Sequence, residues 1–505
     1  MPTSANMLKD SVFGIVPAPE FCDSDTLLAS LYRVIGFKDV NEGDVIKNGK
    51  ALFKKLEELA NKREEQNNTI VKKPQIIQEL LTKVLSCPKS ASSLKKKHKT
   101  FINTPITPSI AIFSGTNNFG NRQPWISGNL LRRMVILGSK SIDEADILWH
   151  KFYSALKVTD EQDNIEKNYL DDVYAIFIET EIKNWLKIAG IEHKFEYIPI
   201  TNNKAEISFK LTPEQYDSFS FPAKQFVSDL NNLIDLKSKL CRKAWICLID
   251  SIIRLASVSH VLWLSNIHKY FHEKLHAALA QKDSPCTLDE IFARKFHYAT
   301  SGEKVLPYVK ELLGITTTLN EELNFFCEIT GNRNISLKGL DDINGLIRNI
   351  SSQSLSIQQH MNKLDERLAI KSKDIQCSSG SGSNKFEFVR YILGQRATSL
   401  DKHLQGYDQG FFLKKKGSAI NSPFVFSIGD TALLAICHCA LSANGNLSSK
   451  SITALQDYMK KYGINISSDS IQNKELGQQL RLQGLLLDSP DAESSMQILP
   501  PFTNN

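Results

Sequence analysis

The apolar stretch AWICLIDSIIRLASVSHVLWL fills residues 244–264 and decides the fold class. It is long enough to cross a membrane, but it carries Asp250 and Arg254 one helical turn apart. Each charge would cost several kcal/mol at the centre of a bilayer, whereas in a helix buried inside a protein the two can pair. The stretch therefore predicts a core helix that is apolar nearly all round and needs partners on several sides.

The segments around this helix predict a central helical domain at residues 129–371. Residues 222–281 keep a helical pattern with hardly a breaker, and shorter helices follow them. Near residues 194–211, apolar and polar side chains instead alternate on both sides of the turn sequence TNNK, which predicts one β-hairpin. We expect a mainly α protein of several domains with this small hairpin as an insertion.

The N-terminal part of the chain has two different compositions. Helical spacing of apolar residues predicts a small helical domain at residues 1–86. Residues 87–128 are rich in Pro, Ser, Thr, Lys and Gly, and they include the run KKKHK, which no core could bury. We interpret them as a basic, irregular linker region.

The C-terminal part predicts a separate module. Residues 372–384 contain the sequence CSSGSGSN, which has the composition of a flexible linker. Residues 385–505 then read as helices followed by two apolar runs around the turn-rich sequence DSPDAES. The predicted helices are 430–443, 449–462 and 470–483, and the apolar runs are 485–487 and 496–499. Three helices before a two-stranded ribbon is the order of a winged helix, so we expect a winged-helix-like module.

Composition limits the classes of function. The hydrophobic and charged fractions, 42% and 23%, are those of a folded protein. The net charge of +6 comes from 61 basic and 55 acidic residues, so any affinity for nucleic acid must be local. The nine cysteines show no CxxC pair, and the first residues lack the pattern of a secretory signal. We therefore expect a cytoplasmic protein with reduced thiols that does not enter a membrane.

The sequence HEKLH at residues 272–276 is the sharpest local motif. Two histidines four residues apart share one face of a helix and can bind Zn²⁺, with Glu273 beside them as a general base. This makes a zinc-dependent hydrolase, with His272 and His276 as ligands, the alternative hypothesis for function.

The competing interpretation of the same motif is a solvated polar face of an amphipathic helix. Lys274 places a cation inside the motif, and none of the acidic residues Glu290, Glu303 and Glu311 stands in a recognisable third-ligand context. We favour this interpretation, and so predict no cofactor and no catalytic residue. In the sequence Cys437-His438-Cys439, neighbouring side chains point to different sides of a helix, which favours core packing over metal binding.

Basic side chains in the C-terminal module predict contacts to duplex DNA. In a helix over residues 470–483, the i, i+4, i+7 spacing puts three polar side chains on one face, where they could enter a groove. Two lysine clusters nearby could contact phosphates. The predicted nucleic-acid-binding residues are Lys414, Lys415, Lys416, Lys460, Lys461, Lys474, Gln478 and Arg481. The alternative is that this module docks on proteins.

Two segments of this module carry a resemblance to a known group of proteins. GYDQGFFLKKKGSA at residues 406–419 and ELGQQLRLQGLLLDSPDAESSMQILPPF at residues 475–502 resemble the C-terminal part of accessory proteins from bacterial anti-phage defence islands of the Druantia-like kind. The resemblance implies a non-enzymatic accessory subunit of a bacterial antiviral defence complex. Its partners would be other protein subunits, such as a helicase or nuclease, and double-stranded DNA.

Overall fold

The structure, a computed structural model, is described for sixteen stretches of the chain. They are residues 6–15, 24–37, 107–108, 128–158, 175–176, 179–180, 183–184, 195–200, 211–282, 285–331, 336–395, 408–417, 421–442, 452–472, 475–487 and 496–502. The predicted basic linker region, residues 87–128, lies almost wholly outside them. So does most of the predicted N-terminal domain.

Helices dominate the described residues, as the sequence predicts. They are α1 (Ser24–Gly36), α2 (Gly128–Gly138), α3 (Ile142–Leu156), α4 (Pro213–Ser218), α5 (Pro222–Asp235), α6 (Arg242–Leu279), α7 (Leu288–Ala293), α8 (Leu306–Ile329), α9 (Leu340–Ser352), α10 (Ser354–Gln358), α11 (Met361–Ile370), α12 (Ser372–Ile375), α13 (Gly380–Leu393), α14 (Asp430–Ser442), α15 (Ile452–Lys461), α16 (Ser468–Gln472) and α17 (Glu475–Leu482). The mainly α fold class is confirmed.

The strands are short, and one strand pair joins distant parts of the chain. They are β1 (Ala299–Thr300), β2 (Leu413–Lys415), β3 (Phe424–Phe426), β4 (Ile464–Asn465), β5 (Leu486–Leu487) and β6 (Gln497–Ile498). Strands β2 and β3 pair antiparallel, as do β5 and β6, whereas β1 pairs parallel with β4. The two apolar runs near the C-terminus therefore pair, as expected, and β4 joins the C-terminal segment to the central region.

Helix α6 lies at the centre of the core. Its 38 residues contact α5, α8, α9, α13 and α14, and Trp245, Leu262 and Trp263 are fully or almost fully buried. By length and hydropathy it is the one helix among the described residues that could cross a membrane, but nearly all of its apolar window is buried inside the protein. The prediction of a core helix is confirmed. Apolar residues from Met7 to Ile498 belong to the same hydrophobic core.

Arg254 has a different main partner from the one expected. Its guanidinium, which is fully buried, donates to both carboxylate oxygens of Asp408 at 2.9 Å and also to the backbone carbonyl of Gly394 at 3.0 Å. The predicted partner Asp250 is farther away, at 3.7 Å. The loop after Asp408 comes close to α6, because a Cβ on Gly410 would lie 2.7 Å from the Ser251 hydroxyl. The sequence could not reveal a partner 154 residues away.

The predicted flexible linker at residues 372–384 is helical in the structure. It contains α12 and the start of α13, and the Asp374 carboxylate accepts a hydrogen bond from the backbone N–H of Gly382. A Cβ on Gly382 would lie only 1.9 Å from the Asp374 carbonyl oxygen, so this glycine permits close packing. Gly380 adopts φ +59°, a conformation that favours glycine. The glycines therefore build a tight helix-to-helix turn, which composition alone cannot distinguish from a flexible chain.

The third helix of the C-terminal segment also differs from the prediction. Residues 470–483 were expected to form one helix, but the structure has α16 and α17, with residues 473–474 between them outside the described residues. A Cβ on Gly477 would lie 1.8 Å from the carbonyl oxygen of Ile471. Such an approach needs a bend, because six residues span more than one turn of a continuous helix.

The predicted β-hairpin near residues 194–211 lies partly outside the described residues. Its first half is extended and pairs with the end of α1, where Ile198 donates a backbone hydrogen bond to Ile35 at 3.1 Å. Residues 201–210 are not among those described. The segment therefore packs an extended stretch against a helix end.

Candidate metal centre

Two helices of the core bring three metal-ligand side chains together. His272 and His276 lie one turn apart on α6, and Glu322 lies on α8, which packs along α6. The apolar side chains Leu319, Leu323 and Phe326 of α8 are buried in the core. Glu322 interrupts this apolar face and is itself only 1% exposed.

The Glu322 carboxylate is bound by both histidines. The Nδ1 atom of His272 lies 2.9 and 2.8 Å from its two oxygens, and the Nε2 atom of His276 lies 2.8 Å from Oε1. The two imidazole rings are 4.4 Å apart between centroids. The carboxylate therefore bridges the two histidines of the HEKLH motif.

The charges of this group are mutually stabilising. The hydrogen bond to Glu322 raises the pKa of His272, although burial opposes that shift. Burial by itself would raise the pKa of Glu322, but the hydrogen bonds from His272 and His276 outweigh it and the pKa is lowered. A buried carboxylate thus stays ionised because cationic or donating groups surround it.

The donor set lies close to the spacing that one metal ion requires. The three ligand atoms lie within 4.8 Å of one another. Ligands about 2.1 Å from a tetrahedral zinc ion lie roughly 3.4 Å apart, so small side-chain movements would enclose an ion. The side chains of His272 and His276 are 33% and 43% exposed, which leaves a coordination position facing solvent. Two histidines and one carboxylate with an open fourth position form the ligand set of catalytic zinc sites.

Comparison of the chain with protein-family models, curated proteins and solved structures finds no match. The chemistry of the site therefore rests on its own geometry.

Glu273, the predicted general base, points to another partner. Its carboxylate lies 3.0 Å from Arg294, in an exposed ion pair, and does not belong to the group of three. An exposed ion pair is worth about 0.2–1 kcal/mol, so little free energy holds Glu273 there. The side chain can leave Arg294 at low cost when a ligand is present.

The three acidic residues considered as third ligands are placed elsewhere. Glu290 binds Lys274 at 3.0 Å and accepts a hydrogen bond from Tyr270, while Glu303 and Glu311 are exposed. Sequence reasoning missed Glu322, which lies 46 residues beyond His276. The available signal was an acidic residue at a core position of an apolar helix, since such a residue needs a buried partner.

The structure assigns Cys437 and Cys439 to the core, as predicted. Both side chains are fully buried, and burial raises the pKa of Cys437 to about 12. His438 lies between them in sequence, and its Nε2 atom is 3.4 Å from the carbonyl oxygen of Asn232. Burial of both thiols in an apolar helix explains this sequence without a metal.

The predicted DNA-binding residues fall in two areas. Lys414, Lys415 and Lys416 are exposed, and Lys414 lies 3.8 Å from Glu475 at the start of α17. Gln478 on α17 is exposed, and Arg481 is half-buried. At the end of α15, Lys460 pairs with Asp457 at 3.1 Å, and Lys461 carries its charge near Lys224 of α5. Lys474 lies outside the described residues. The first lysine cluster thus lies beside α17, and DNA binding stays a prediction.

Proposed function

We propose that this protein is a zinc-dependent hydrolase with a mononuclear site formed by His272, His276 and Glu322. The observation that carries the proposal is the buried Glu322 carboxylate, which is held by both histidines of an HExxH motif. A zinc ion with three protein ligands lowers the pKa of bound water and so supplies a nucleophile at neutral pH. Glu273 follows His272 on α6 and is the general base in this proposal.

The open position supports a catalytic over a structural role. Structural zinc sites are almost always closed by four protein ligands, whereas catalytic sites keep a position for water or substrate. Here three ligands meet at the protein surface, and both histidines are partly exposed. Helix α6, which is fixed along its length by the core, would hold the two histidines in place with little strain.

The test is metal analysis of the full chain purified without chelators. We expect about one zinc per chain, lost in His272→Ala and in Glu322→Gln. Two control variants should keep their zinc: His360→Ala, at an exposed histidine in the turn before α11, and Glu321→Gln, at the residue next to the ligand. Absence of stoichiometric metal in the wild type, or its retention in Glu322→Gln, would overturn the proposal.

Catalysis is tested separately from binding. Glu273→Gln should keep the zinc but lose hydrolysis of fluorogenic peptide, ester or phosphodiester substrates by about 100-fold or more, which is a common contribution of a general base. Arg294→Ala, which frees Glu273 from its ion pair and removes the guanidinium from the Tyr270 ring, should keep the activity. Equal activity of wild type and Glu273→Gln would assign the base to another group.

A second candidate function is docking through the C-terminal segment, as a cytoplasmic accessory subunit beside a helicase or nuclease in a bacterial antiviral defence complex. In this proposal the segment is a winged-helix-like module of a multi-domain chain. Its support is the exposure of Leu482 and Leu487, at 88% and 50%, the first of which follows Arg481 in the sequence. Large exposed apolar side chains beside basic ones are typical of surfaces that bind partners.

The docking proposal is tested with the full chain. Fluorescence titration of a mixed-sequence DNA duplex, at low and moderate salt, should show weaker binding by a variant with Lys414, Lys415 and Lys416 all changed to Glu. A variant with Lys338, Lys363 and Lys373 all changed to Glu, at exposed sites on other parts of the surface, controls for net charge. If the triple variant binds DNA as wild type does, the segment does not bind DNA through these lysines and docks on proteins instead. In that case Leu482→Ser should lose the subunits that co-purify with the wild type.

A further inference from the structure

A cavity beside the candidate metal centre is lined by charged side chains. It has a volume of about 220 Å³ and lies between α6, α8, α12, α13 and the N-terminal turn at residues 6–15. His268 of α6, one turn before His272, and Glu321 of α8, next to Glu322, both line it. None of the three metal-binding side chains does. The volume is well above that needed for one water but below the roughly 300–1,000 Å³ of pockets for drug-sized ligands, so it suits a small metabolite.

Lys385 of α13 places a cation in this cavity. Its side chain is only 7% exposed, and within the described part of the chain it has neither a hydrogen bond nor an ion pair. Burial lowers the pKa of this lysine, while the charge of Asp374 opposes the shift. Asp374 itself accepts the Gly382 N–H at the turn into α13. A buried ammonium without an acceptor is unfavourable unless something else supplies one.

Glu321 places an anion in the same cavity. Its side chain is 6% exposed, and among the described residues it has no hydrogen-bond or ion-pair partner. Since no salt bridge joins Glu321 to Lys385, the two opposite charges are more than 4.0 Å apart, the limit for an ion pair, and cannot satisfy each other directly. The nearby Thr317 hydroxyl is also buried without a hydrogen-bond partner. The cavity therefore holds one cation, that of Lys385, and one anion, that of Glu321, which are almost wholly buried and have no partner among the described residues; Lys371 and Asp374 also line it.

His268 adds no charge to this arrangement. Burial lowers its pKa to about 4, so the ring is neutral at physiological pH. Its Nε2 atom lies 2.7 Å from the carbonyl oxygen of Phe13, and its Nδ1 atom lies 3.2 Å from the Thr316 hydroxyl. Its hydrogen-bonding capacity is thus used by the protein. The buried charges of the cavity without a partner among the described residues are those of Lys385 and Glu321.

We propose that this cavity binds a small zwitterionic metabolite of the α-amino acid type, with its carboxylate at Lys385 and its ammonium at Glu321. A ligand with both charges satisfies both buried groups, whereas a simple anion would leave Glu321 unmatched and a simple amine would leave Lys385 unmatched. The proposal is independent of the zinc chemistry, because it uses different side chains.

The test is isothermal titration calorimetry of the full chain with each of the standard amino acids, and with acetate and ethylamine as single-charge probes. We expect one or a few amino acids to bind, and acetate and ethylamine to bind far more weakly. Lys385→Met, which keeps the length of the side chain, and Glu321→Gln should each weaken binding by about tenfold or more, since each removes one charged contact. Lys373→Met, at an exposed lysine in the same segment, is the matched control and should bind as wild type does.

Thermal unfolding shows whether a variant that fails to bind amino acids is still folded. Removing an unmatched buried charge should leave Lys385→Met at least as stable as wild type without ligand, and amino acids should then no longer raise its melting temperature. Three outcomes would overturn the proposal: no amino acid binds the wild type, acetate binds as tightly as the amino acids, or Lys385→Met binds as wild type does. Metal analysis of Glu321→Gln shows separately whether the zinc site is still intact in this variant.

Discussion

Asp229 is a single residue on which a large part of one helix interface depends. It lies fully buried on α5, where Gln225 donates to it at 2.7 Å and the hydroxyls of Tyr458 and Tyr462 donate at 2.5 and 2.7 Å. Burial raises the pKa of Asp229 to about 6, and the hydrogen bonds from Tyr458, Tyr462 and Gln225 reduce the shift. Because both tyrosines belong to the C-terminal segment, this carboxylate links that segment to the central region.

The raised pKa predicts a pH dependence of stability. An unfolded Asp has a pKa of about 3.9, so between about pH 4 and 6 the folded state binds this proton more tightly, and the favourable contribution is lost as pH rises through 6. The loss amounts to about 3 kcal/mol on this arithmetic. Asp229→Asn keeps an acceptor but cannot ionise. Melting temperatures measured from acid to neutral pH should show the variant gaining on wild type as pH rises, whereas parallel curves would mean that the residue does not titrate in this range.

Arg254 predicts a specific pattern of coupling. Removing this buried guanidinium takes away the cation that pairs with the Asp408 carboxylate, so Arg254→Ala should lower the free energy of unfolding by about 3–5 kcal/mol. A double-mutant cycle, followed by chemical denaturation, should give strong coupling between Arg254→Met and Asp408→Asn and weak coupling between Arg254→Met and Asp250→Asn. Stronger coupling to Asp250 would mean that Asp250 is the main partner of Arg254, as the sequence alone suggests.

Individual elements differ in how far the sequence predicted them. Helix α6 was predictable because an all-round apolar surface with paired charges has few other solutions. Glu322 was not, because helix periodicity shows which face is buried but not which face of another helix it meets. The glycine-rich turn into α13 was missed for a related reason: the need for Gly382 comes from a carbonyl oxygen of another turn, and such proximity has no signature in composition.

This explanation of the glycines can be tested with two substitutions. Gly382→Ala should destabilise the protein, because the new methyl group would overlap the Asp374 carbonyl oxygen. Gly345→Ala, inside α9 with open space around its Cα, should instead stabilise by about 0.5–1 kcal/mol through helix propensity. Thermal unfolding of the two variants checks both signs. If Gly382→Ala leaves the stability unchanged, residues 372–384 form a flexible connection instead.

At the scale of the whole molecule, the C-terminal segment has its polar partners in the central region. Strand β4 pairs with β1, Tyr458 and Tyr462 bind Asp229, and the Phe426 backbone N–H donates to the Glu303 carbonyl at 3.1 Å. A fragment of residues 385–505 would leave the two buried tyrosine hydroxyls without their carboxylate. We expect this fragment to show no cooperative unfolding by circular dichroism, in contrast to the full chain. A sharp transition in the isolated fragment would instead support an independent module.

The contact between Arg254 and Asp408 also has a consequence for synthesis on the ribosome. The two residues are 154 positions apart. At a synthesis rate of about 5–20 residues per second, Arg254 is therefore made roughly 8–30 s before the carboxylate that neutralises its charge. During that interval a nascent chain exposes a surface that aggregates readily. Stalled chains that end before Asp408 should therefore recruit chaperones, and chains that extend some forty residues further, enough to clear the exit tunnel, should release them.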